Sequence, residues 1–203
     1  MTVHLAKVGE DALMTNTCLS NSTLAKKNVL HISWFKRDYG DGETQWKITV
    51  TKISIKTEGS GRYLSKNGSI IISNVKVEDT GYYLCERFYT AQRLSSLIVY
   101  YLKAPVLEPK EKHVNENENA TFTCPLPDGV PTPITITWIK DGTVLDVSDT
   151  KKYPQSDTTL EISRVNYKDT GDYQCRAENA AYSGDEGKLS DNTGTLSLVN
   201  REY

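Results

Sequence analysis

The heptapeptide Asp-Thr-Gly-x-Tyr-x-Cys occurs twice in this chain, as DTGYYLC at residues 79–85 and as DTGDYQC at residues 169–175. Five residue types held at one spacing in two copies indicate a duplicated structural unit, so the 203 residues divide into two domains of ordinary size. Cysteine usage divides the same way. Cys18 and Cys85 lie in the first half and Cys124 and Cys175 in the second, and none forms the close C-x-x-C pair of a zinc site or redox motif. Two long-range disulfides are the simpler reading, and they place the protein in an oxidising compartment, outside the cell or on its surface.

A net charge of −2, with 25% charged and 37% hydrophobic residues, fits a globular protein with an ordinary core and argues against a nucleic-acid partner. The longest largely apolar run, LSSLIVYYL at residues 94–102, is far shorter than the roughly 20 residues that span a bilayer. No apolar signal-peptide core follows Met1. The expectation is a mature extracellular segment that reaches a membrane only through a segment missing from this chain.

The halves also repeat a Cys, Trp, Cys order: Cys18, Trp34, Cys85, then Cys124, Trp138, Cys175. Between these anchors lie short alternating runs such as VLHISWF, QWKITVTKISIKT, ITITWIK and TLEIS, bounded by the pairs Asn67-Gly68, Asp128-Gly129 and Asp141-Gly142. Period-two alternation with such turns predicts antiparallel strands and hairpins, an all-β chain.

This triplet, with its terminal D-x-G-x-Y-x-C, resembles the immunoglobulin superfamily over both halves. The resemblance implies two tandem immunoglobulin-like Greek-key β-sandwiches, over residues 1–103 and 104–203. It pairs Cys18 with Cys85 and Cys124 with Cys175, packs Trp34 and Trp138 on those bridges, and makes Tyr83 and Tyr173 the tyrosine corners. Arg62 precedes Asp79, and Lys152 precedes Asp169, by the same 17 residues, which suggests one ion pair at the lower end of each sandwich. From Trp to second Cys the first half has 14 more residues than the second, enough for one hairpin. That surplus coincides with QWKITVTKISIKT, read as strands C′ and C″, which makes the first domain V-type and the second I-set or C2-like. In strand B, Asn16 stands where the second half has Phe122.

Catalysis finds no support in the sequence, and no cofactor or metal motif is present. His4, His31 and His113 show no metal-ligand spacing and read as exposed strand histidines. No nucleophile elbow or phosphate-binding glycine loop occurs. Basic residues at Lys26-Lys27, Lys36-Arg37, Lys110, Lys112 and His113 cluster weakly; they read as a solvated face, with a weak sulfated-glycan contact as the minor alternative. Three N-glycosylation sequons begin at Asn21, Asn67 and Asn119.

With Trp34 and Cys85 pointing inward, alternation turns His31, Ser33, Phe35 and Arg37 on strand C, and Leu84, Glu86 and Phe88 on strand F, outward. The same positions in the second half are Thr137, Ile139, Gln174 and Arg176, with one apolar residue. Exposed apolar surface marks partner sites, and V-type domains of the family pair through this GFCC′ sheet. The expected partner surface is therefore His31, Phe35, Arg37, Leu84, Glu86, Phe88 and Tyr89, receiving a protein ligand or a second copy of the chain. The parent would be a cell-surface adhesion protein or receptor; the alternatives are the ligand-binding ectodomain of a receptor tyrosine kinase and a secreted immune-type protein.

Overall fold

Short strands with alternating burial build both halves of the molecule, as in SIII at residues 69–72 and TLEI at residues 159–162, where every second side chain is inward. The computed structural model describes residues 1–15, 32–37, 51–53, 61–66, 69–87 and 91–199. The chain divides into two units, residues 1–100 and 101–203. This division falls three residues before the expected 103/104 boundary, because Leu102 and Tyr101 pair antiparallel with Gly129 and Val130. Asp128-Gly129 is therefore a strand entry, not a hairpin turn.

The described strands of the first unit are β1 (Thr2–Lys7), β2 (Ala12–Met14), β3 (Ile32–Arg37), β4 (Thr51–Ile53), β5 (Tyr63–Lys66), β6 (Ser69–Ile72), β7 (Gly81–Arg87) and β8 (Ala91–Leu102). One sheet runs β1-β8-β7-β3-β4, with β1 parallel to β8, and the other runs β2-β6-β5. β4 lies within the QWKITVTKISIKT segment and pairs with β3 as strand C′; the rest of that segment, in which C″ is expected, lies outside the described residues. Met14, Trp34, Ile70, Ile72, Tyr83 and Leu97 fill the core between the sheets.

The second unit contains β9 (Glu111–Val114), β10 (Ala120–Thr123), β11 (Gly129–Val130), β12 (Thr135–Lys140), β13 (Thr143–Val144), β14 (Gln155–Ser156), β15 (Thr159–Ile162), β16 (Gly171–Glu178), β17 (Lys188–Leu189) and β18 (Gly194–Leu198). One sheet runs β13-β12-β16-β18-β9, with β17 beside β16, and the other runs β10-β15-β14. Asp141-Gly142 makes the two-residue turn from β12 to β13, with φ of 49° and 78°. Phe122 is fully buried and its ring stacks on Tyr173, centroids 5.0 Å apart. Its counterpart Asn16 lies outside the described residues.

The Cys124–Cys175 disulfide is present, and Trp138 sits in register with Cys175. Its separation of 51 residues corresponds to about 4 kcal/mol of stabilisation in the chain-entropy model. Cys85, in register with Trp34, is also disulfide-bonded; Cys18 lies outside the described residues.

The repeated heptapeptide closes each sandwich with matching bonds. A single 3-10 turn, Val77–Asp79 or Tyr167–Asp169, delivers the Asp just before β7 or β16. The Tyr83 hydroxyl donates to the Asp79 carbonyl at 2.7 Å, and the Tyr173 hydroxyl to the Asp169 carbonyl at 2.6 Å. Burial, foremost, holds the Tyr173 hydroxyl well above the ordinary tyrosine range. The Asp79 carboxylate accepts from the Lys76 amide at 2.8 Å and pairs with Arg62. The Asp169 carboxylate accepts from the Asn166 amide at 2.8 Å and pairs with Lys152 at 2.5 Å. Each cation also donates to two backbone carbonyls, Arg62 to Ser73 and Asn74, Lys152 to Ser163 and Arg164.

Gly171 starts β16 at φ 139°, and a Cβ there would lie 2.5 Å from the Asp141 carboxylate, which accepts from the Asp172 amide at 2.8 Å. Gly194 is tighter still. A Cβ on it would meet Leu107 Cδ2 at 2.4 Å, Phe122 Cε1 at 2.7 Å and the Pro109 carbonyl at 2.8 Å. Overpacking of a filled core typically costs 1–3 kcal/mol. Gly194→Ala is thus expected to destabilise the second domain by about 2 kcal/mol, read as a lowered denaturant midpoint at unchanged slope; an unchanged midpoint would refute the packing argument.

Candidate partner-binding face

Register defines the face, because residues paired across neighbouring strands project to the same side of a sheet. Trp34 and Cys85 form an inward pair. One residue along, Phe35 pairs with Leu84 and Leu84 with Leu94, an apolar row across β3, β7 and β8 on the opposite side. Phe35 and Leu84 are half-buried, whereas Leu94 is 42% exposed. Farther along β8, Ser96 pairs with Tyr82 and with Val3, and Ile98 with Leu5. Val3 and Leu5 are 51% and 57% exposed. Val3 and Leu5 of the edge strand β1 thus lie on the same side of the sheet as the apolar row, with buried Ser96 and half-buried Ile98 of β8 beside them.

Of the expected partner residues, Phe35 and Leu84 are brought together. Arg37 and Glu86 hold register positions opposite Tyr82 and Ser33; His31, Phe88 and Tyr89 lie outside the described residues. Leu94, Val3 and Leu5 were missed, although they carry the most open area. The signal was present in TVHLAK, which alternates as a strand should, but its parallel pairing to β8 is a long-range contact that alternation does not reveal.

The second unit differs in kind. Thr137, Gln174 and Arg176 are half-buried, and Ile139 is buried at 7% exposure, so the expectation of an outward, open Ile139 is corrected. The Thr137 hydroxyl donates to Glu178 at 2.9 Å. The row through Gln174 and Ile139 continues on β13 to Val144, which is 60% exposed, and Arg176 pairs with Leu189, 42% exposed, so apolar exposure there is split between two edge positions instead of running across neighbouring central strands.

Lys36 donates to the Glu78 carbonyl, and His113 is exposed with Nδ1 2.5 Å from the Ser197 hydroxyl. Lys26 and Lys27 lie outside the described residues. Asn119 is exposed, its amide donating to Glu161 at 3.0 Å and accepting from the Arg164 N–H at 3.1 Å; Asn21 and Asn67 lie outside the described residues.

His4 corrects the reading of exposed strand histidines. It is half-buried on β1 opposite Leu97, and its Nε2 is buried without a hydrogen-bond partner among the described residues. Burial lowers its pKa below the ordinary 6.5. A histidine depressed in the folded state contributes stability that is complete above the unfolded-state value and is lost as pH falls through the folded-state value. The first domain should therefore lose stability below about pH 6.5, and His4→Leu should flatten that part of the Tm-against-pH curve. An unaltered slope in the variant would show that His4 does not titrate on unfolding.

Comparison with known proteins adds the family. The model of the immunoglobulin V-set domain matches residues 2–98, and that of the immunoglobulin domain matches residues 105–179. The chain belongs to the immunoglobulin superfamily. Its first domain is V-set, the half that carries the longer Trp-to-Cys interval. Relatives include Protein turtle homolog B of Rattus norvegicus, 32% identical over 61% of this chain and 10% of that protein. Protein sidekick-2 of Mus musculus is 35% identical over 57% of this chain and 6% of that protein. Neural cell adhesion molecule L1 of Mus musculus is 25% identical over 88% of this chain and 16% of that protein. The chain thus spans a small part of the length of each. Among solved structures, the N-terminal four immunoglobulin domains of Dscam1 isoform 6.9 are similar over 98% of this chain and 43% of that one, with a TM-score of 0.55 and 22% identity. That likeness concerns the fold.

Proposed function

We propose that the chain is an extracellular, partner-binding part of a cell-surface adhesion protein or receptor, and that its V-set domain engages a protein through the outer face of β3, β7, β8 and β1. The observation that carries this reading is the apolar row Phe35, Leu84, Leu94 across three neighbouring strands, with exposed Val3 and Leu5 of β1 on the same side of the sheet. A flat sheet face with half-exposed Leu and Val suits another folded protein surface, since burying each large side chain completely contributes up to roughly 1.5–3 kcal/mol. A few such side chains can dominate an interface of standard size. A second copy of the chain is the first partner to test, by sedimentation velocity over a range of concentrations. Binding to cells tests other partners, with the face variants described in the Discussion in both arms. Relatives named for cell adhesion support the extracellular setting, as do the disulfides.

A further inference from the structure

The second domain has an opening between its two sheets that the partner face of the first does not use. Sequence order explains why it is there. β13 and β14 are two residues each, and the chain between them, residues 145–154, joins one sheet to the other without adding a strand. The side of the sandwich is left incompletely covered beside the core Trp. The resulting cavity, of about 110 Å³, is walled by Ile136 and Trp138 of β12, Leu160 of β15, and Val147 and Tyr153 of the joining loop, with Asp157 also lining it. Trp138 and Leu160 are buried, Val147 and Tyr153 are half-buried, and Asp157 is exposed.

Volume and charge narrow the occupant. The cavity is several times larger than the roughly 10–15 Å³ that admits one water. It is well below the roughly 300–1,000 Å³ of pockets that enclose a whole small-molecule ligand. A single side chain fits that range. The loop carries two carboxylates, Asp146 and Asp149, which accept from the Ser148 and Lys151 amides, and the turn from β14 to β15 carries a third, Asp157; none of the three makes an ion pair among the described residues. Of the loop's two cations, Lys152 is committed to Asp169 and Lys151 is exposed. Asp146 and Asp149 act on Tyr153 from nearby: after burial and Asp169, their charges help to hold its hydroxyl above the ordinary range. Apolar and aromatic side chains line the opening together with Thr159, and Asp157 lies at its rim, a combination that suits a long stem ending in a cation.

We propose that this opening is a docking site for one arginine side chain from a basic segment of a protein partner. The methylene stem enters between Trp138, Val147 and Leu160, and the guanidinium stays at the mouth against Asp157. A planar guanidinium suits the site because it stacks on aromatic rings, is less strongly hydrated than an ammonium, and pairs with a carboxylate through two parallel N–H donors. Contact at one side chain is weak alone, so the site adds selectivity to an interface formed elsewhere.

The test uses the two-domain chain and two short probes, N-acetyl-arginine amide and its uncharged near-isostere N-acetyl-citrulline amide, titrated while amide and indole N–H resonances are followed by NMR. Saturable shifts confined to Trp138, Val147, Tyr153, Asp157 and Leu160 are expected with the arginine probe, and weaker binding with citrulline. Asp157→Asn, on the exposed rim away from the core, should weaken arginine binding about two- to fivefold, the range of a solvent-exposed ion pair. Asp157→Lys should remove it. Equal binding of the two probes, shifts that map to another surface, no saturable shifts, or an Asp157→Asn variant that binds like wild type would each overturn the proposal.

Discussion

Leu94→Arg and Leu84→Arg should each weaken partner binding at least about 100-fold while the V-set domain stays folded. Leu84 stands in the middle of the row, paired with Phe35 on one side and Leu94 on the other. Arginine at either position forces a charge into the contact and removes the leucine. Loss of one fully buried leucine accounts for roughly 1.5–3 kcal/mol, and desolvation of an unpaired charge adds to it; every 1.4 kcal/mol is tenfold in Kd. Both residues lie opposite the inward row of Trp34 and Cys85, so the core is untouched. Val144→Arg is the matched control in the second domain, because Val144 is 60% exposed, whereas the buried Ile139 would report folding instead. Sedimentation and cell binding read the result, after melting temperature confirms the fold. Wild-type binding by folded Leu84 and Leu94 variants, with loss in Val144→Arg, would move the binding surface to the second domain.

Asp169→Ala should destabilise the second domain by about 3 kcal/mol, and Asp79→Ala the first by a similar amount, because removing one member of a buried, hydrogen-bonded pair typically costs 3–5 kcal/mol. The lower end applies since the Lys152 and Arg62 side chains keep 21% and 32% of their exposure. Alanine removes from each site the ion pair and the acceptor for the Asn166 or Lys76 amide, and in the first domain also the acceptor for the Tyr63 hydroxyl. The tyrosine corner survives, since Tyr173 and Tyr83 bond to the backbone carbonyl of the same residue and not to its side chain. Lys152→Arg should be tolerated, because the first domain uses arginine in that place. Unfolding followed by hydrogen exchange in β16 and β7 separates the two domains. A loss below about 1 kcal/mol in both Asp variants would show that the pairs contribute no more than surface ion pairs do.

The sandwich fold, the tyrosine corners and the Asp–cation pairs were legible before any coordinates. Each is a device that needs particular residue types at fixed spacing, and the chain wrote the set twice: Asp79 with Arg62 and Asp169 with Lys152, each pair 17 residues apart. The inserted C′ strand was legible as a length difference between the two Trp-to-Cys intervals. Alternation also assigned Phe35 and Leu84 to the outer row, since strand geometry reverses side chains at every residue.

Exposure was not legible, because it depends on what a distant segment lays over a side chain. Ile139 occupies an outward position by alternation and is buried; His4 occupies a strand next to exposed Val3 and Leu5 and turns its Nε2 into the interior. Val3 and Leu5 join the apolar face only through β1 pairing in parallel with β8, a contact between residues about ninety positions apart in the chain. The opening beside Trp138 arises because residues 145–154 cross between sheets without pairing. Sequence alone determined the two folds and their internal braces, which follow from local periodicity and repeated spacing. Only the tertiary structure decided which apolar groups remain in contact with water, since that depends on burial contributed by segments remote in the chain.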